Sequence, residues 1–324
     1  MSNPHFLTKV AMRFSMVAAA FVLVICVAAA QEMDRAHGPA IGIYGFKKQS
    51  EGGPIPAEYD LVVIHYPAFS TDNSEVLEDI SEQAAQGRRV IVDFQFMTTR
   101  EQRRARRPLP PLDETETALG AMLDQLEGVP LEGITLDEEN RTRPERIRYL
   151  TELYNRTKQS YPERNFFQWL SLGARQTLRT WSPKTFPADG YVMDPYLVDD
   201  QTYGALAELL VGSDKPVYSV VWASPGWEVG AGRRMRAKPE WWNERQWRTF
   251  YNRLAVNSEY RINTIFYTYS LPGNLPAALR FGSRCEREFE QALLEVTIAH
   301  LRTDPIDPRT PDTRPDWIPA FCQN

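Results

Sequence analysis

Eight short runs rich in Val, Ile, Tyr and Phe alternate with amphipathic stretches over roughly 290 residues that hold no linker, repeat or low-complexity break. Together these observations predict an α/β fold of the (β/α)8 TIM-barrel type, for which about 250 residues is typical. The expected strands are IGIYGF (41–46), YDLVVIHY (59–66), RRVIVDFQF (88–96), LEGITLDEEN (131–140), RNFFQWLSL (164–172), DGYVMDPY (189–196), KPVYSVVWA (215–223) and INTIFYTYS (262–270). Helices are expected over 73–86, 114–127, 143–160, 200–212, 240–256 and 284–302. Gly87 and Gly128 stop the first two, as glycine often does. The first crossover, KKQSEGGPIPAE (47–58), is too short and too rich in Gly and Pro for a full helix, so an irregular first βα unit is expected. An open doubly wound sheet is the alternative. It wants a Gly-rich phosphate loop after its first strand, and no G-x-G-x-x-G stands there.

The amino terminus reads differently. Lys9 and Arg13 precede a 15-residue apolar run, Met16 to Ala30, which ends Ala28-Ala29-Ala30 and turns polar at Gln31. A basic segment, an apolar segment too short for a comfortable span and a small-x-small end make a secretory signal, with cleavage expected after Ala30. Cys26 follows Leu23-Val24-Ile25, without the small residue that lipoprotein processing needs, so it leaves with the signal. The expected organisation is a signal peptide (1–30), a barrel (31–302) and an extended tail (303–324) packed on it. The mature product is expected to be secreted or periplasmic, with no stable membrane anchor. There, Cys285 and Cys322 bracket the last helix and the Pro/Asp-rich tail and read best as a disulfide, two unpaired thiols being the alternative.

Composition narrows the functional classes. Lys and Arg number 37 against 42 Asp and Glu, and losing Lys9 and Arg13 moves the net charge from −5 to −7, so no nucleic-acid partner is expected. Three cysteines and four histidines, none in metal-ligand spacing, argue for no metal and no cofactor. A G-x-S-x-G elbow and a P-loop are both absent from the sequence.

Barrel sites sit at the carboxyl ends of the strands. Side chains alternate along a strand, so Thr135, Asp137 and Glu139 of the fourth strand share one face, while Ile134, Leu136 and Glu138 share the other. The apolar pair suits the layer under the helices, which aims Asp137 and Glu139 into the barrel mouth with Cα atoms about 6.5 Å apart. Two carboxylates so close repel, which raises the proton affinity of one and leaves the other ionised, the division that glycosidic cleavage needs. The alternative is that they bind a neighbouring Arg or cap the next helix.

The row Glu132-Gly133-Ile134-Thr135-Leu136-Asp137-Glu138-Glu139 resembles the D-G-x-D-x-D-x-E strand of chitinase-like, family-18-type barrel hydrolases, and its D-x-E pair also resembles that of hyaluronidases. It departs from the motif in Glu132 for the first Asp and Thr135 for the middle one, and strand 6 reads Met193-Asp194-Pro195-Tyr196 in place of M-x-Y-D. The resemblance implies a glycoside hydrolase in which Glu139 is the general acid and Asp137 stabilises an oxazolinium-like intermediate, with Asp194 or Tyr196 positioning an acetamido group. On a substrate lacking that group, Asp194 or Asp93 supplies the second carboxylate. Asp93, between Val92 and Phe94, reads first as a buried support.

Candidate substrate-binding residues at the mouth are Gln95, Gln168, Tyr196, Trp222, Trp227, Tyr267 and His65, the aromatic rings offering flat faces to pyranose rings. Basic residues gather after three strands: Arg100, Arg103, Arg104, Arg106 and Arg107; Arg141 and Arg143; Arg233, Arg234, Arg236 and Lys238. They suit an acidic poly- or oligosaccharide, or they are solvated loops paired with nearby carboxylates. The expected function is secreted glycoside hydrolysis, and the alternative is a non-catalytic glycan-binding or cell-envelope protein on the same scaffold.

Overall fold

A computed structural model describes residues 39–46, 55, 57–96, 109–136, 144–171, 187–194, 200–222, 244–267, 294–299 and 301. Contacts divide the chain at Pro39/Ala40, and the architecture below belongs to the unit from Ala40 onward.

Eight parallel strands close into a barrel in sequence order: β1 (Ile41–Phe46), β2 (Leu61–Pro67), β3 (Arg89–Gln95), β4 (Gly133–Leu136), β5 (Phe166–Ser171), β6 (Gly190–Asp194), β7 (Val217–Trp222) and β8 (Asn263–Tyr267), with β8 pairing back to β1. The expected (β/α)8 barrel is therefore the fold. Between the strands run α1 (Ser74–Ala85), α2 (Leu112–Gln125), α3 (Pro144–Ser160), α4 (Asp200–Val211) and α5 (Glu244–Glu259), and residues 294–299 are also helical. The first crossover, apart from Ile55 and residues 57–60, lies outside the described residues.

Strands in a closed parallel barrel are buried on both faces, which is why these read as apolar runs instead of polar/apolar alternation. Two apolar shells result. Ile43, Val62, Ile64, Val92, Ile134 and Met193 pack outward beneath the helices, whereas Tyr44, Val63, Ile91, Phe167, Trp169, Val192 and Tyr218 fill the interior. The helices bring matching stripes: Thr115, Leu119, Met122 and Leu123 of α2 recur at helical spacing and are buried. Pro144 opens α3, where its missing N–H is not needed.

Gly87 (φ 82) and Gly128 (φ 77) follow α1 and α2 in the left-handed conformation, as expected of helix stops. Beyond α5 the same conformation falls to Arg261 (φ 53), so this helix runs to Glu259, past the expected end at 256. The Asn-Ser pair at 257–258 carries no glycine to mark the stop, and Asn257 is held inside the helix by buried bonds. It donates to Thr264 Oγ1 of β8 at 2.9 Å and accepts from the Tyr203 hydroxyl of α4. That hydroxyl also bonds Ser219 of β7 at 2.7 Å, which ties α4 and α5 to the β7–β8 edge.

Inside the barrel one large ring needs two missing Cβ atoms. A Cβ on Gly133 would lie 2.5 Å from the Phe167 ring, and one on Gly190 would lie 2.7 Å from it and 2.9 Å from the Pro216 carbonyl oxygen. Because the second neighbour is backbone, Gly190→Ala is expected to destabilise by about 1–3 kcal/mol, read as a lower denaturant midpoint. Gly204→Ala on α4, where nothing lies within 4 Å, is expected to be neutral or stabilising.

Candidate active site at the barrel mouth

The lower, amino-terminal end of the barrel is closed by an ion pair. Arg89 opens β3 and grips Glu132, just before β4, with two bonds: Nε to Oε2 at 3.0 Å and Nη2 to Oε1 at 2.6 Å. The Tyr218 hydroxyl of β7 donates to the same carboxylate and accepts from Arg89 Nη2 at 3.1 Å, so the cluster spans the interior. Burial raises the Glu132 carboxyl, but the Arg89 bonds and charge and the Tyr218 bond outweigh it and hold the group below its usual value of 4.5. The residue that stands for the first Asp of the resembled motif is thus a brace at the floor, far along the strand from the mouth.

A pH prediction follows from that direction. With the folded value below the unfolded one, the contribution is complete above the ordinary Glu range and disappears as pH falls through the depressed value. Acid unfolding below about pH 4.5 is therefore expected to lose a component in Glu132→Gln relative to wild type, measured as the slope of unfolding free energy against pH.

At the opposite end, parity decides what faces the mouth. On β4, Ile134 and Leu136 pack outward and Thr135 is fully buried between the interior positions of its neighbours, in register with Asp93 of β3 and Phe167 of β5. This is the alternation read from the sequence. Asp137 and Glu139 themselves lie outside the described residues, as do Tyr196, Trp227, Cys285, Cys322 and all three basic loops. Asp194 is the last residue of β6, in register with Ser171 of β5, while Trp222 and Tyr267 end β7 and β8 and are in register with each other. All three hold the strand-end positions expected of them.

Gln168 does not face the mouth. On β5, Phe166 and Leu170 belong to the shell under the helices and Phe167 and Trp169 to the interior, so alternation sends Gln168 outward. There it lines an apolar space between β4, β5 and α3 with Leu150, Leu153, Tyr154 and Thr157. Its neighbour Trp169 is the interior residue, and it packs on Tyr44 of β1 with ring centroids 5.1 Å apart.

The described part of the mouth gathers around Asp93. This carboxylate is fully buried, and three groups converge on its Oδ2: the Tyr44 hydroxyl at 3.1 Å, Gln95 Nε2 at 3.2 Å and His65 Nδ1 at 2.7 Å. Register places them, since His65 and Asp93 are paired across β2 and β3. Tyr44 meets the His65 ring edge-on at 4.7 Å. Asp93 Oδ1 and Thr135 Oγ1 are buried without a hydrogen-bond partner among the described residues. His65 and Gln95 stand near the carboxyl ends of β2 and β3, and Asp93 between them is buried and hydrogen-bonded. Tyr44 was missed, although Gly42 and Tyr44 alternate with Ile41 and Ile43 in IGIYGF. Among the described residues no group of three or more His, Cys, Asp or Glu is arranged to hold a metal ion.

No family model matches the sequence, and no curated protein is similar to it at a significant level. Solved structures are similar in fold. Xylanase 10C of Cellvibrio japonicus aligns with a TM-score of 0.51 at 8% identity, over 86% of this chain and 72% of that one. A broad-specificity endoglucanase from Clostridum cellulovorans aligns at 0.49 and 12% identity, over 81% and 95% of the two chains. A glycoside hydrolase family 5 enzyme from Prevotella bryantii B14 aligns at 0.48 and 11%, over 81% and 96%.

Proposed function

We propose that the protein is a secreted, retaining glycoside hydrolase acting on a polysaccharide, with Glu139 as general acid and Asp137 as its partner. The observation that carries this reading is the parity of β4. Thr135 is interior and Ile134 and Leu136 are exterior, an alternation that, carried on beyond Leu136, supports Asp137 and Glu139 as mouth residues. The likeness of fold to a xylanase is consistent with it and adds no residue-level argument.

In this reading Glu139 protonates the glycosidic oxygen as the bond to the anomeric carbon breaks. Asp137 stays ionised and stabilises the positive charge that develops, through the substrate's own acetamido group in the chitinase- and hyaluronidase-like version. Tyr196 or Asp194 positions that group. On a sugar without it, Asp194 at the end of β6 supplies the second carboxylate. Trp222, Trp227 and Tyr267 offer stacking faces, and the basic loops favour an acidic glycan such as one bearing uronates or sulfates. The signal segment supports export, and an oxidising compartment supports a Cys285–Cys322 disulfide that pins the tail.

A second reading, a non-catalytic glycan-binding protein, is favoured by one observation: where the resembled motif has its middle Asp, Thr135 offers a buried hydroxyl without a partner among the described residues. Reducing-end release from a panel of N-acetylated, neutral and acidic polysaccharides separates the two. Release from at least one is expected. Retention on an immobilised glycan with no release from any assigns the protein to the second class.

A further inference from the structure

We propose that His65 is a substrate-contacting residue of the barrel mouth, accepting a hydrogen bond from a sugar hydroxyl at Nε2, and that Asp93 is the positioning residue that makes Nε2 an acceptor. The inference rests on the mouth being a glycan site and adds to it a specific contact on β2.

One imidazole nitrogen faces two incompatible neighbours. His65 Nδ1 has two close neighbours, Asp93 Oδ2 at 2.7 Å and Gln95 Nε2 at 2.8 Å. A ring nitrogen either donates its proton or accepts one, so it cannot satisfy both. If it accepts from Gln95, the 2.7 Å contact sets a lone pair against a buried carboxylate. If it carries the proton, that contact becomes a charge-assisted bond, and Gln95 keeps its own bond to Asp93 Oδ2 at 3.2 Å. The second arrangement sets the Nδ1 proton against the Gln95 amide nitrogen instead, but leaves no lone pair facing the buried carboxylate. A neutral His65 is then the Nδ1–H tautomer, and its other nitrogen is a bare acceptor.

Exposure separates His65 from the groups beneath it. Asp93 and Thr135 are wholly buried, and Tyr44 and Trp169 nearly so, whereas the His65 side chain is 19% exposed. The buried rings form a floor, with Tyr44 touching both His65 and Trp169, and His65 rises from it near the carboxyl end of β2. Its Nε2 has no partner among the described residues. A carboxylate buried only as structural support has both oxygens satisfied. Here, among the described residues, every donor converges on Oδ2, the oxygen against His65, and none reaches Oδ1. The cluster is built around the imidazole, as a buried acid that orients a working histidine is built.

Two measurements test this. Long-range ¹H–¹⁵N correlation spectra of the ¹⁵N-labelled protein at neutral pH report each imidazole nitrogen, with His65 assigned by its loss in His65→Gln. A protonated Nδ1 and an unprotonated Nε2 are expected, with that preference lost in Asp93→Leu, which offers no acceptor to hold the Nδ1 proton. A protonated Nε2 in the wild type overturns the Asp93 assignment. Cello-, xylo-, chito- and uronate-containing oligosaccharides of three to six units are then titrated in, and at least one is expected to shift the Nε2 resonance. In kinetics, His65→Phe is expected to raise KM about tenfold on a cleaved glycan with a much smaller change in kcat, the pattern of a lost ground-state contact. Cleavage with His65 unmoved and KM unchanged overturns the inference and spares the hydrolase reading. A shifted Nε2 with no cleavage of any glycan does the reverse, and an unmoved His65 in a protein that cleaves nothing overturns both.

Discussion

Glu139→Gln is expected to lower kcat by about 10²- to 10⁴-fold on the glycan the protein cleaves best, with KM changed little. Glutamine keeps the size and the hydrogen-bonding reach of the acid but has no proton to give. The leaving oxygen must then depart as an alkoxide, and the loss appears in the chemical step. An activated aryl glycoside, whose phenolate leaves without protonation, is expected to recover much of the rate at the glycosylation step in the same variant. Failure of that recovery, with folding intact by circular dichroism, assigns Glu139 another role. Asp137→Ala is expected to be impaired on both kinds of leaving group, because charge at the anomeric carbon develops with either.

The second large effect concerns stability. Arg89→Ala leaves the buried Tyr218 hydroxyl and the mostly buried Glu132 carboxylate at the barrel floor without their cation. The expected cost is about 3 kcal/mol, the range for breaking a largely buried pair from one side. Arg89→Leu combined with Glu132→Leu is expected to recover much of that loss, since it removes the uncompensated charge and leaves apolar volume. Urea midpoints of the two variants against wild type check both statements. A double variant no more stable than Arg89→Ala argues that the cluster fixes the closure of the barrel through geometry, beyond the balance of charge and desolvation.

Much of the fold was legible because each strand is a short β-branched and aromatic run that parallel barrels bury on both faces. β1 lies where it was expected, at 41–46, and the other strands lie within the expected ranges or one residue beyond. The same physics hid the orientation of β5. In Phe166-Phe167-Gln168-Trp169-Leu170 both faces are apolar, so no alternation marks which side is interior, and the lone polar residue invites assignment to the mouth. On β4, by contrast, Gly133, Thr135 and the acidic residues beyond alternate with Ile134 and Leu136, and the parity could be read directly. Glu132 was drawn into the motif by its spacing, yet the strand begins after it and its partners come from β3 and β7. The His65–Asp93 contact was invisible for a related reason. Each residue stood out alone, but only the β2–β3 register makes them neighbours, and nothing local to either run encodes that register.

The most direct measurement is the anomeric ¹H NMR spectrum of the first products released from a cleaved polysaccharide, recorded before mutarotation. A new reducing end is expected to appear first in the configuration of the bond that was cut, because a carboxylate or the substrate's acetamido group occupies one face before water arrives. A first product of opposite configuration, or no new anomeric signal from any glycan in the panel, contradicts it.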